Sequence, residues 1–164
     1  MAKDSSFDVV SKVDRQEVDN ALNQARKELQ TRFDFKGTDA TVEWTGELQI
    51  EVSANTDHRV TAAIEVLKEK CIKRQVPLKA LQIGPLKETG GGGFKSVIDI
   101  NQGVSTEKSR EMVKILKSSG IKVQSAIQED HLRVSGKNKD DLQKAIALLK
   151  EKDFGIPLQF TNYR

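Results

Sequence analysis

The sequence predicts an α+β fold made twice: two small domains of βαββαβ order, each with its helices stacked on one side of an antiparallel sheet. Three observations predict it. The chain matches itself without a gap at an offset of 82 residues, with 50–53 (IEVS) falling on 132–135 (LRVS) and 63–70 (AIEVLKEK) on 145–152 (AIALLKEK). Apolar residues recur every three or four positions in some segments and every second position in the segments between them. A repeat of half the 164-residue chain is also too long for a solenoid, whose units span about 20–50 residues and recur at least three times.

The elements follow in order. Residues 7–11 (FDVVS) form a short β-type run. Asp14 then supplies a helix cap with Glu17 three positions later. Val18, Leu22, Ala25, Leu29 and Phe33 make one apolar stripe that ends near Gly37 and is assigned to the core. Residues 41–44 and 48–52 alternate around Thr45, Gly46 and Glu47, the pattern of a hairpin buried on one face. Asn55, Thr56 and Asp57 open a second helix striped by Val60, Ile64, Leu67 and Cys71. Pro77 stops it, and Leu81 and Ile83 form a final short strand.

Gly90 to Gly93 interrupt the pattern and are assigned as the linker between the repeats. Residues 94–100 then restate 7–13. Ser105 caps a helix carrying Met112 and Leu116 and ending at Gly120, 121–127 and 132–134 form a hairpin around Glu129 and Asp130, and a helix from Asp140 carries Leu142, Ala145, Ile146 and Leu149. Residues 158–160 close the unit as a strand. One-striped helices beside one-faced strands are satisfied by a two-layer sandwich, the ferredoxin-like arrangement.

Halves of this size lie near the lower end of what one core can hold folded, so the two are expected to support each other. The composition, 37% hydrophobic and 31% charged, is that of an ordered, soluble protein. No apolar run reaches the roughly 18 residues of a membrane span. Residues 1–4 lead into no signal region, and the single cysteine, Cys71, forms no internal disulfide. A cytoplasmic protein without a membrane partner is expected. The net charge of +3 lies entirely in the second half: residues 1–87 hold 14 Lys/Arg against 14 Asp/Glu, and residues 88–164 hold 13 against 10. An anionic ligand is therefore expected in the second half.

Catalysis has little support. His58 and His131 have no second His, Cys or acid at metal-ligand spacing, so no metal site is assigned. Cys71 falls on a buried stripe, and the adjacent Asp140 and Asp141 suit the positive end of a helix dipole. The glycine tetrad is followed by a strand and not by GK[ST] and a helix, which argues against a phosphate loop. Gly136-Lys137-Asn138-Lys139 is the more informative segment. It joins a strand to a helix N-terminus, where backbone N–H groups and two lysines can hold a phosphate. On the outer faces of the third strands stand Gln49 and Glu51 in the first half, and His131, Arg133 and Ser135 in the second. The chain is only 5% aromatic, so base stacking over several nucleotides is disfavoured, while Arg133 leaves a positive surface for phosphate.

Three segments have a mixed character that core packing does not fully explain: 32–37 (RFDFKG), 136–143 (GKNKDDLQ) and 158–164 (LQFTNYR). With 6–11 (SFDVVS), they make the chain resemble the bacterial YajQ family of nucleotide-binding proteins over nearly its whole length. The resemblance implies two ferredoxin-like domains that exchange their first strands, one of residues 14–100 and one of 101–164 plus 1–13. It further implies a non-enzymatic protein that binds a nucleotide, with cyclic di-GMP and nucleic acid both proposed as ligands in the family. The alternative function is an RNA- or DNA-binding module using the basic second half. Lys139 stands where the family commonly has arginine, and Asn101 where it commonly has lysine, so weaker phosphate affinity is expected. The ligand-binding candidates are Lys137, Lys139, Arg164, Arg133, Arg32 and Lys36. No cofactor is implied, and a monomer is expected.

Overall fold

The computed structural model describes residues 4–164; the first three residues of the stretch read above as leading into no signal region lie outside it. In chain order the elements are β1 (Ser5–Val10), α1 (Arg15–Thr31), β2 (Thr41–Gly46), β3 (Gln49–Ala54), α2 (Asp57–Lys73), β4 (Leu81–Ile83), β5 (Lys87–Glu88), β6 (Phe94–Ile100), α3 (Thr106–Ser119), β7 (Gln124–Ile127), β8 (Leu132–Gly136), α4 (Lys139–Glu151) and β9 (Gln159–Thr161). Single 3₁₀ turns occupy Phe33–Phe35 and Leu78–Ala80. The chain divides into two compact units, a central one of Val13–Asn101 and a terminal one that joins the described part of Met1–Lys12 to Gln102–Arg164.

In the central unit the strands run β2-β3-β6-β4, with β5 paired to β6. Every pairing is antiparallel. Val42, Ile50, Val52 and Ile98 point to one face and meet Val18, Leu22, Val60 and Leu67 of α1 and α2, all fully buried. In the terminal unit the order is β7-β8-β1-β9. Phe7 and Val9 of β1 share a face with Leu132 and Val134 of β8 and close over Met112, Leu116 and Leu149. Burying each such side chain is worth roughly 1.5–3 kcal/mol before ordering entropy is subtracted. A slip of one residue would turn Phe7 and Val9 out of the core and bury the Asp8 carboxylate in their place, so burial fixes the register.

β1 thus pairs with strands from the end of the chain, Phe7 opposite Val134 and Val9 opposite Phe160. β6 pairs with strands from the first half, Ile98 lying between Ile50 and Ile83. The helix starts lie where their caps stand: Asp14, Thr56, Ser105 and Asn138 each accept a backbone N–H of the first turn.

Three local expectations are corrected. The first stripe does not continue to Phe33: α1 ends at Thr31, Arg32 takes an extended conformation, and Phe33 is 87% exposed while Phe35 enters the core. The glycine tetrad stands between the repeats but does not join the two units. It turns the chain from β5 to β6 inside the central unit, with the Thr89 N–H donating to the Gly93 carbonyl at 2.8 Å. Lastly, α2 stops before Pro77. Gln75 adopts φ 61°, its N–H donates to Ile72 O and the N–H of Val76 donates to Cys71 O, a left-handed cap closed by two hydrogen bonds.

Candidate functional site

The loop from β8 to α4 borders the largest described cleft, an open space of about 930 Å³ in the terminal unit. Gly136 ends β8 buried, and a Cβ there would stand 3.2 Å from the Lys122 carbonyl oxygen, so its small size lets the strand end close against the segment before β7. That approach puts Lys122 and Lys137 on one rim. Lys144, on α4, completes three exposed ammonium groups around the cleft, with Gln124, Ser135 and Asn138 among the polar walls. Asp4 and Asp141 also line it, leaving one net positive charge.

The N-terminus of α4 is already served. The Asn138 side chain accepts the Asp140 N–H at 2.9 Å, and Asp140 and Asp141 supply negative charge to the helix dipole. Positive charge at this cleft is therefore supplied by the lysine side chains.

The candidates read from the sequence separate on this structure. Lys137 lines the cleft; Lys139, the first residue of α4, is exposed and outside its lining. Lys122 and Lys144 were missed, because only the β7–β8 pairing and the turn of α4 bring them to Lys137. Arg164 is held by its main chain, its N–H donating to Ser6 O at 3.0 Å and its carbonyl accepting the Ser6 N–H at 3.3 Å. Arg32 is committed locally. It makes a fork to Asp34 at 2.9 and 2.8 Å, reaches Glu28 at 3.4 Å and lies over the Phe35 ring, and its guanidinium holds the Asp34 carboxyl below its ordinary value. Lys36 lines a smaller cleft of about 370 Å³ in the central unit, with Arg26, Thr41 and Glu43.

Arg133 is engaged with Asp8 across the β1–β8 pair, Nε to Oδ1 at 2.9 Å. Asp8 is 6% exposed and also accepts from Asn162 Nδ2 at 2.7 Å. Burial pushes this carboxyl upward, but hydrogen bonds from Arg133 and Asn162, with the charges of Arg133 and His131, outweigh burial and leave it below the ordinary value. His131 lies between two acids: Nδ1 is 2.8 Å from Asp130 Oδ1, and Nε2 is 3.9 Å from Asp8 Oδ2. Among the described residues no group of three or more His, Cys, Asp or Glu can hold a metal ion, and no helix is long and apolar enough to cross a membrane.

The outer face of the central sheet neutralises itself. Gln49 donates to Asp99 at 2.9 Å, Lys95 meets Glu51 at 3.4 Å, and Thr41 and Ser53 share a hydrogen bond at 2.6 Å.

Comparison with known proteins agrees with the sequence motifs. A family model described as "Nucleotide-binding protein YajQ-like" matches residues 5–164. A Mycolicibacterium vanbaalenii protein named "Nucleotide-binding protein" is 52% identical over 162 residues, 98% of this chain and 99% of the relative. Proteins of the same name from Mycobacterium avium and Mycobacterium tuberculosis are 51% and 50% identical over the same shares of each chain. With the family match covering all but the first few residues and relatives aligned end to end, this chain belongs to the YajQ family.

Proposed function

We propose that the protein binds a nucleotide without transforming it, and that the phosphate groups sit on the lysines of the cleft between β7, β8 and α4. One observation carries the assignment: Lys122, Lys137 and Lys144 surround a single cleft of about 930 Å³ in the unit that holds the charge surplus. That size is within the range of small-molecule sites. The names of the relatives support a nucleotide as the ligand class. Three ammonium groups favour a ligand with more than one phosphate over a simple monophosphate, which makes cyclic di-GMP the first ligand to test.

A binding role without chemistry is supported by the reactive residue types. Burial pushes the Cys71 thiol up to about 11, so it stays protonated at neutral pH. His58 is exposed at the start of α2, and His131 is tied to Asp130.

Calorimetric titration with GMP, GTP, cyclic di-GMP and a short RNA, repeated across salt concentrations, tests the reading. A compact ligand on two or three charges gives a shallow salt dependence, whereas an RNA making several phosphate contacts gives a steep one. Replacing Lys137 and Lys144 together by alanine should weaken the bound nucleotide by roughly 1.5–3 kcal/mol for each charged hydrogen bond lost. The melting temperature should hardly move, because exposed lysines contribute little to stability. Lys139→Ala should have the smaller effect. Unchanged affinity in the double variant would place the site elsewhere, with the Arg32 to Lys36 turn next to be examined.

A further inference from the structure

We propose that the lysine cleft selects guanine as the base of its nucleotide, with Asp141 and Asn138 as the selecting residues, an inference that rests on that cleft being the nucleotide site. Both residues stand in the wall of the same space of about 930 Å³, Asn138 exposed and Asp141 half-buried. The Asn138 Oδ1 accepts the Asp140 N–H at 2.9 Å, which leaves the side-chain NH₂ with two donors to offer. Asp141 follows three positions on, its N–H donating to the Asn138 carbonyl at 3.1 Å. A glutamate at that place in a helix reaches back to the N–H of the cap residue. Aspartate is one carbon shorter, and its carboxylate makes no such bond here. Among the described residues neither this carboxylate nor the Asn138 NH₂ meets a hydrogen-bond or ion-pair partner in the protein.

The wall thus offers a donor beside a group that only accepts. A carboxylate repels phosphate, so the part of a nucleotide that faces Asp141 is the base, while Lys122, Lys137 and Lys144 attract the anionic end. A lysine is a point charge and serves the phosphates of any nucleotide alike. Base selection therefore falls to the donor and the acceptor. Guanine presents their complement along one edge, the O6 acceptor followed by the N1–H and N2–H donors. The two oxygens of a carboxylate take both donors at once, as they take the fork of an arginine. Adenine presents its amino group beside an N1 acceptor and fills one carboxylate oxygen only. Hypoxanthine lacks the 2-amino group, and xanthine sets a carbonyl oxygen there, against the carboxylate. Sites built to hydrogen-bond a polar group reject analogues that lack it.

The full-length protein can be titrated calorimetrically with GTP, ATP, ITP and XTP, which share their phosphates and differ in the base. The wild type should bind GTP about tenfold tighter than ATP or ITP, the effect of one lost hydrogen bond to a charged group, with XTP the weakest. Asp141→Asn should weaken GTP about tenfold and bind XTP more tightly than GTP, because the new amide donates to the xanthine carbonyl. A merely structural role for Asp141 would lower all four together. Replacing Lys137 and Lys144 by alanine should weaken all four alike and keep their order. Equal binding of GTP and ITP by the wild type, or an unchanged order in Asp141→Asn, overturns the inference, and the phosphate assignment stands if the lysine variant is weakened. A lysine variant that binds as the wild type does, beside a reversed order in Asp141→Asn, supports base selection and removes the phosphate assignment alone. Binding of none of the four overturns both.

Discussion

The Asp8 carboxylate draws its partners from two distant stretches of chain: His131 and Arg133 at the start of β8, and Asn162 just past β9. Its folded-state value lies below the unfolded one of about 3.9. The stabilisation is therefore complete above roughly pH 4 and is lost as the pH falls through the lower folded value. Asp8→Asn should flatten the acid limb of the stability curve, measured by urea unfolding between roughly pH 2 and 6. An acid limb identical to the wild type would show that the carboxylate is not anchored as described. Arg133→Ala should lower stability at neutral pH, by less than for a sealed ion pair because the arginine side chain remains in contact with water. Residues at this scale were legible where one stretch of chain decides their placement, as with Lys137 in the loop between β8 and α4. Asp8, Lys122 and Lys144 were not, because their neighbours are set by strand register and helix phase. Phe33 misled for a related reason: its spacing from Leu29 fits the stripe, but the extended Arg32 ends the helix before the stripe reaches it.

Helix starts were readable because each rests on one side chain within its own turn. The ends depend on backbone conformation, which composition signals poorly unless glycine is present. Gly120 closes α3 at φ 78°, and its place was read correctly, whereas Gln75 closes α2 at φ 61° and the stop was assigned to Pro77. The two caps should respond oppositely to substitution. Gln75→Gly should stabilise by about 0.5–1 kcal/mol, since the left-handed conformation costs a residue with a Cβ roughly 1–2 kcal/mol and glycine's unfolded-state freedom returns part of that. Gly120→Ala should destabilise by about 1 kcal/mol through backbone strain alone, because nothing lies within 4 Å of the added methyl. Chemical denaturation of both variants checks the pair, and a Gln75→Gly protein less stable than wild type would contradict it. β5 escaped notice because two residues, Lys87 and Glu88, carry no period to read.

Across the whole molecule, the duplication and the order of its elements were legible from the offset repeat and its two periodicities. The partners of β1 and β6 were not, since strands with the same alternation fit either sheet, and the family resemblance alone pointed to their places. The central unit is a continuous stretch, Val13–Asn101, with its own core. Expressed alone, it should melt cooperatively. Residues 102–164 alone should not, and adding a peptide of residues 4–12 should restore a folded signal by supplying Phe7 and Val9 to the core. A cooperative melt of 102–164 by itself would show that β1 is dispensable. The pairing of β1 with β8 and β9 also sets a timetable during synthesis. β1 is made before the whole central unit, yet its partners β8 and β9 follow only after that unit and α3, roughly 6–30 s later at 5–20 residues per second. The central unit is complete well before then. Each newly made molecule thus spends its youth with one finished half and a loose apolar leader, the stage at which proteases and chaperones have their best access to it.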